Sequence, residues 1–133
     1  MVNLKVLFFE ADFFADIHET LRYAVENSSR KSQKDSLFSI TTGGSNTAIG
    51  KCALATNQSG GANIAIGFHA LRVNTASNNL AVGHCAMDTN SSGTENSAFG
   101  FLALNKNTTG DFNTAFGNQT LYTNTTADSN TAV

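Results

Sequence analysis

Glycines at Gly50, Gly67, Gly83, Gly100 and Gly117 recur at intervals of 17, 16, 17 and 17 residues, and so regular a period leaves few folds open to the chain. Set in register on these glycines, the rest of the sequence falls into columns. Asn46, Asn63, Asn79, Asn96, Asn113 and Asn130 open each unit, and Ala48, Ala65, Ala81, Ala98, Ala115 and Ala132 follow two places later. The residue before glycine is always apolar: Ile49, Ile66, Val82, Phe99 and Phe116. A second apolar column holds Leu54, Leu71, Met87, Leu104 and Leu121, and a second asparagine column holds Asn57, Asn74, Asn90, Asn107 and Asn124.

A 17-residue unit is too small for the helix pairs of roughly 33 to 47 residues that build α-solenoids. Its two apolar segments are of strand length and are bounded by Asn, Gly, Ser and Thr. The spacing therefore predicts an all-β chain, a parallel β-solenoid whose rung runs strand, glycine corner, strand, asparagine-rich return. Stacked rungs set equivalent residues about 4.8 Å apart, so each column becomes a ladder of like side chains. The asparagine ladders read as structural: Asn tolerates left-handed backbone at corners, and stacked amides bond from rung to rung. Both apolar columns are assigned to the core. They supply little apolar volume for the backbone they must order, which predicts a thin coil completing its core against neighbouring chains as an obligate oligomer.

The units "NTAIGKCALATNQSG", "NSAFGFLALNKNTTG" and "NTAFGNQTLYTNTTA" resemble the repeats of viral and bacteriophage tail-fibre proteins. They are similar, more distantly, to the head repeats of trimeric autotransporter adhesins. The resemblance covers Ser45 to Val133 and implies a left-handed β-roll in which a homotrimer winds about one axis. It also implies a virion tail fibre or extracellular surface location and contact with a host glycan or protein. The residue after glycine, often Tyr in such repeats, is here Lys51, Phe68, His84, Phe101 or Asn118; the next, often Gln, is Cys52, His69, Cys85, Leu102 or Gln119. No functional residue carries over at those positions.

Eleven charged residues lie in the first 44 positions and only seven follow, so the chain joins two kinds of sequence. Leu4, Leu7, Ala11, Phe14, His18, Leu21 and Val25 alternate by three and four, which predicts an amphipathic helix over 1–26, either a coiled coil or a helix packed on the roll. Residues 27–35 read as a polar linker, 36–45 as a degenerate capping half-rung with Leu37 in the leucine column, and 46–133 as the repeat domain. The final four residues open a sixth unit before its glycine, as expected of a piece of a longer fibre or of a last rung covered by a partner.

A net charge of -2 offers no basic surface for nucleic acid. "VLFFEADFFADI" is broken by Glu10, Asp12 and Asp16, so neither membrane insertion nor a signal peptide is expected. Two cysteines do not make a disulfide scaffold. Cys52, His69 and Cys85 share a column and carry metal-ligand chemistry, but two rungs, about 10 Å, separate the cysteines, which is awkward for one ion. Neither a metal nor any other cofactor is expected. His18, His69 and His84 have no nucleophile setting and no carboxylates pair, so the pattern is not that of an enzyme. The sequons at Asn57, Asn90, Asn107 and Asn124 read as turn chemistry. A threonine-bearing column, Thr56, Val73, Thr89, Lys106 and Thr123, keeps an ice-binding solenoid as a remote alternative. The leading expectation is a structural and adhesive fibre segment whose receptor contacts come from Phe68, Arg72, His84, Asp88, Phe101, Lys106 and Tyr122. The alternative is a non-binding spacer stalk.

Overall fold

A computed structural model describes residues 35–39 and 41–133. The helix expected over 1–26, and all of the linker but Asp35, lie outside the described residues. Among the described residues no helix is long and apolar enough to cross a membrane.

Each rung contributes one short strand: β1 (Thr47–Ile49), β2 (Ile64–Ile66), β3 (Leu80–Val82), β4 (Ser97–Phe99), β5 (Thr114–Phe116) and β6 (Thr131–Ala132). They form one parallel sheet in sequence order, with Ala48, Ala65, Ala81, Ala98, Ala115 and Ala132 in register across every pairing. The chain is a parallel β-solenoid of about five turns, as the glycine period predicts.

Side chains alternate on a strand, so three residues allow one to point inward and two outward. The inward one is alanine, and Ala65, Ala81, Ala98 and Ala115 are fully buried. This corrects the core assignment of the column before glycine: Ile49, Ile66 and Phe116 are exposed, and Val82 and Phe99 half-buried. The cause is the corner. Gly67 has φ +136°, and a Cβ there would run into the carbonyl oxygen of Gly83 one rung along, so the chain turns only through glycine and fixes which strand residue faces in. The interior instead joins that alanine column to Ala53, Ala70, Ala86 and Ala103 and to Leu54, Leu71, Met87 and Leu104, with Leu121 and Leu37 packed against it.

The second apolar segment is a turn rather than the expected strand. Its alternate residues sit in left-handed backbone: Cys52, His69, Cys85, Leu102 and Gln119 at φ 53–56° and Leu54, Leu71, Met87, Leu104 and Leu121 at φ 48–51°. Hydrogen bonding between rungs nevertheless continues, with Leu54 N donating to Ala70 O at 3.0 Å and Met87 N to Ala103 O at 2.9 Å. Burial of the side chain and this ladder hold residues that seldom adopt such backbone unaided.

The column asparagines are therefore not the left-handed corner residues, a correction to their expected role. They are internal cross-links. Asn79 Oδ1 accepts from Asn96 N at 3.0 Å, and Asn96 Oδ1 from Asn113 N at 2.9 Å. Both asparagine columns converge on one turn carbonyl per rung: Gly110 O accepts Asn96 Nδ2 at 2.8 Å and Asn107 Nδ2 at 2.9 Å. Amides of the second column also bond one another, as Asn107 Nδ2 to Asn90 Oδ1 at 2.8 Å. Among the described residues every buried side-chain nitrogen and oxygen has a partner, as burial demands. The sequon asparagines Asn57, Asn90 and Asn107 are fully buried by this network.

Ahead of the first strand, Leu37 N donates to Ala53 O at 3.1 Å and Thr41 N to Gln58 O at 3.0 Å, which lays this segment on the first rung.

Candidate functional site

The stretch between the glycine corner and the second asparagine column carries all seven residues expected to meet a receptor. Rung stacking sorts this stretch into rows, because residues one period apart must lie side by side.

The first row is Lys51, Phe68, His84, Phe101 and Asn118, all exposed. Phe68 and His84 stack with centroids 4.9 Å apart and planes at 27°, and His84 and Phe101 follow at 5.4 Å and 36°. His69 lies against Phe68 at 3.8 Å and 16°, and Lys51 Nζ stands 6.0 Å from the Phe68 centroid. Rung spacing thus brings the rings of this row into contact with one another, so part of their surface is covered within the row.

The second row is Ala55, Arg72, Asp88, Asn105 and Tyr122. Arg72 forks onto Asp88, Nε to Oδ1 at 2.7 Å and Nη2 to Oδ2 at 3.1 Å. Hydrogen bonding to this carboxylate holds the guanidinium charged and raises its pKa. Asn105 Nδ2 donates to Cys85 O at 2.8 Å. Lys106, from the threonine-bearing column, sets its Nζ 5.0 Å over the Tyr122 ring. In that column Thr56 Oγ1 donates to Arg72 O at 2.9 Å and Thr89 Oγ1 to Asn105 O at 2.8 Å, so these hydroxyls already serve the rung ladder.

The third row, Cys52, His69, Cys85, Leu102 and Gln119, is half-buried apart from exposed Gln119. Both cysteines are free thiols. The three residues expected to be the metal-ligand candidates do not come together as a set: the group that assembles is His69, Cys85 and Asp88, whose donor atoms all lie within 4.8 Å of one another. Asp88 replaces Cys52 because the left-handed turn at Cys85 and Met87 brings the residue three places on back beside its own rung neighbour. Burial pushes the His69 pKa down, and Arg72 beside it adds to the shift. Burial pushes the Cys85 thiol up, with the Asp88 charge in support.

The outer face of the sheet is a further feature, one that the reading of hydrophobicity alone passes over. Ile49, Ile64, Ile66 and Phe116 are exposed there, Leu80, Val82 and Phe99 half-buried, and Phe99 meets Phe116 at 5.6 Å. The signal was available: a three-residue strand with alanine at its centre must show its flanking residues to the outside. No family model matches the chain, and no curated protein or solved structure matches it either.

Proposed function

We propose that this solenoid is a structural and adhesive segment of a surface or virion fibre, three copies winding as left-handed β-rolls about one axis and touching a host surface. The observation that carries the reading is the apolar outer face of the sheet, with Ile49, Ile64, Ile66 and Phe116 each more than a third exposed. A contiguous apolar stripe along a rod is the kind of surface that association buries. The three-fold arrangement and the host contact come from the resemblance of the repeats to tail-fibre and adhesin sequences.

Sedimentation equilibrium of the whole chain tests the assembly, with a trimer expected. Ile66→Asp combined with Phe116→Asp should shift it to monomer while the β signature in circular dichroism persists. A native chain that stays monomeric at micromolar concentration would sink the proposal. The adhesive part is tested by glycan arrays and binding to cell surfaces. One observation favours the spacer alternative. The Phe68 ring is stacked on His84 and the His84 ring meets Phe101 at a tilt, so part of the ring surface of this row is already used within the row. A trimer that binds nothing on such arrays is that spacer.

A further inference from the structure

We infer that His69, Cys85 and Asp88 form a site for one zinc-class divalent cation, bridging the second and third rungs within a single chain. The site needs no partner copy, so it stands apart from the fibre reading.

Position comes first. Their donor atoms lie within 4.8 Å of one another. Ligand bonds of about 2.0–2.3 Å in a tetrahedral zinc site put donors roughly 3.3–3.8 Å apart, so side-chain rotation of about an ångström closes the set. The backbone beneath is held by the rung ladder: His69 N donates to Lys51 O at 3.0 Å, Cys85 N to Phe68 O at 2.8 Å, and Asn105 Nδ2 to Cys85 O at 2.8 Å. Phe68 lies flat against the His69 ring and limits its rotation. The Arg72 fork fixes the Asp88 carboxylate, and each of its oxygens keeps a lone pair for a metal. Among the described residues, neither the His69 ring nitrogens nor the Cys85 sulfur is committed to a hydrogen bond.

Chemistry comes second. One thiolate, one imidazole and one carboxylate suit zinc or cobalt(II), whereas calcium and magnesium ask for shells of oxygen. Binding forms a metal–sulfur bond and releases the Cys85 thiol proton to solvent. Two anionic ligands then face the cation against the one guanidinium of Arg72, with Lys51 and His84 the other basic groups near His69. A fourth ligand place is left for water. The effect expected is a cross-link between rungs.

Cobalt(II) titration of the full chain is the test. One equivalent per chain should bring a thiolate-to-cobalt charge-transfer band in the near ultraviolet, zinc should bleach it, and zinc should raise the thermal midpoint. The repeat supplies the variants, since Leu102 and Gln119 occupy the same column in later rungs and show what the fold accepts. Cys85→Leu should abolish the band. His69→Gln and Asp88→Asn should each weaken binding about tenfold or more. Cys52→Ser should leave it unchanged. Absence of a stoichiometric band in the native chain overturns the proposal, as does a band that survives Cys85→Leu or disappears with Cys52→Ser.

Discussion

The two apolar columns share a period and a chemistry and meet opposite fates. Leu54, Leu71, Met87 and Leu104 are wholly buried, while Ile49, Ile66 and Phe116, in the column before glycine, are exposed. Hydrophobicity does not separate them, since isoleucine and phenylalanine are no less apolar than leucine. Backbone separates them. The leucine column sits in left-handed turns whose side chains the coil closes over, and the other column sits at the outer end of a strand that must turn at glycine. In a coil this thin, the conformation imposed at each position decides burial, and the apolar residues left outside become a surface.

The largest effect that can test this contrast is Leu71→Ala, expected to cost about 2–5 kcal/mol as a cavity at the centre of the stack. Because the loss lies inside one chain, urea denaturation should show it at every protein concentration. Ile66→Ala removes a similar volume from the outer face. Its cost in a dissociated chain should be within about 0.5 kcal/mol. Any larger loss should shrink on dilution into the subunit dissociation range, where the contact it removes is no longer made. Equal, concentration-independent losses at the two positions would break the contrast.

Asn96→Ala should come next, at about 1–3 kcal/mol, because a buried donor left without an acceptor costs its desolvation. The network says which group is orphaned. Gly110 O keeps Asn107 Nδ2, but Asn113 N loses Asn96 Oδ1, its acceptor. Asn96→Asp isolates the two halves of the amide. It restores an acceptor for Asn113 N but places a charge inside the coil, and is expected to be the worse of the two. Denaturation midpoints in the order native, Ala, Asp would bear this out. Asp more stable than Ala would mean that the interior is wet.

Much of this is legible in the sequence, and the illegible part has a physical pattern. The glycine period gave the rungs and their register, because only glycine fits a corner at φ +131 to +144° against the carbonyl of the next rung. The asparagine columns were legible as ladders. Their reason was not, since left-handed backbone falls to the Cys52 and Leu54 columns and to the residue before each first-column asparagine, Ser45, Ala62, Asn78, Glu95, Phe112 and Ser129, a mixture of side chains that carries no common signature of it. That misplacement has two consequences. The second apolar segment reads as a strand, and Asp88 is left out of the metal-ligand candidates although its carboxylate lies within 4.8 Å of the His69 and Cys85 donor atoms.

The smallest effect belongs to Arg72. Its fork onto Asp88 is geometrically good, at 2.7 and 3.1 Å, but its side chain is 38% exposed against 14% for Asp88. Water and salt screen such a pair, and Arg72→Ala should cost no more than about 1 kcal/mol, less in concentrated salt. Arg72→Lys should recover only part of this, because an ammonium cannot meet both carboxylate oxygens in one plane. Set beside Leu71, its neighbour in the sequence, Arg72 measures how far a position's energetic weight follows burial along one turn. A Leu71→Ala loss several times that of Arg72→Ala, in the same buffer and with the same salt series, is the expected outcome. Comparable losses would mean that the ion pair ties the second and third rungs together more strongly than the packing beneath it.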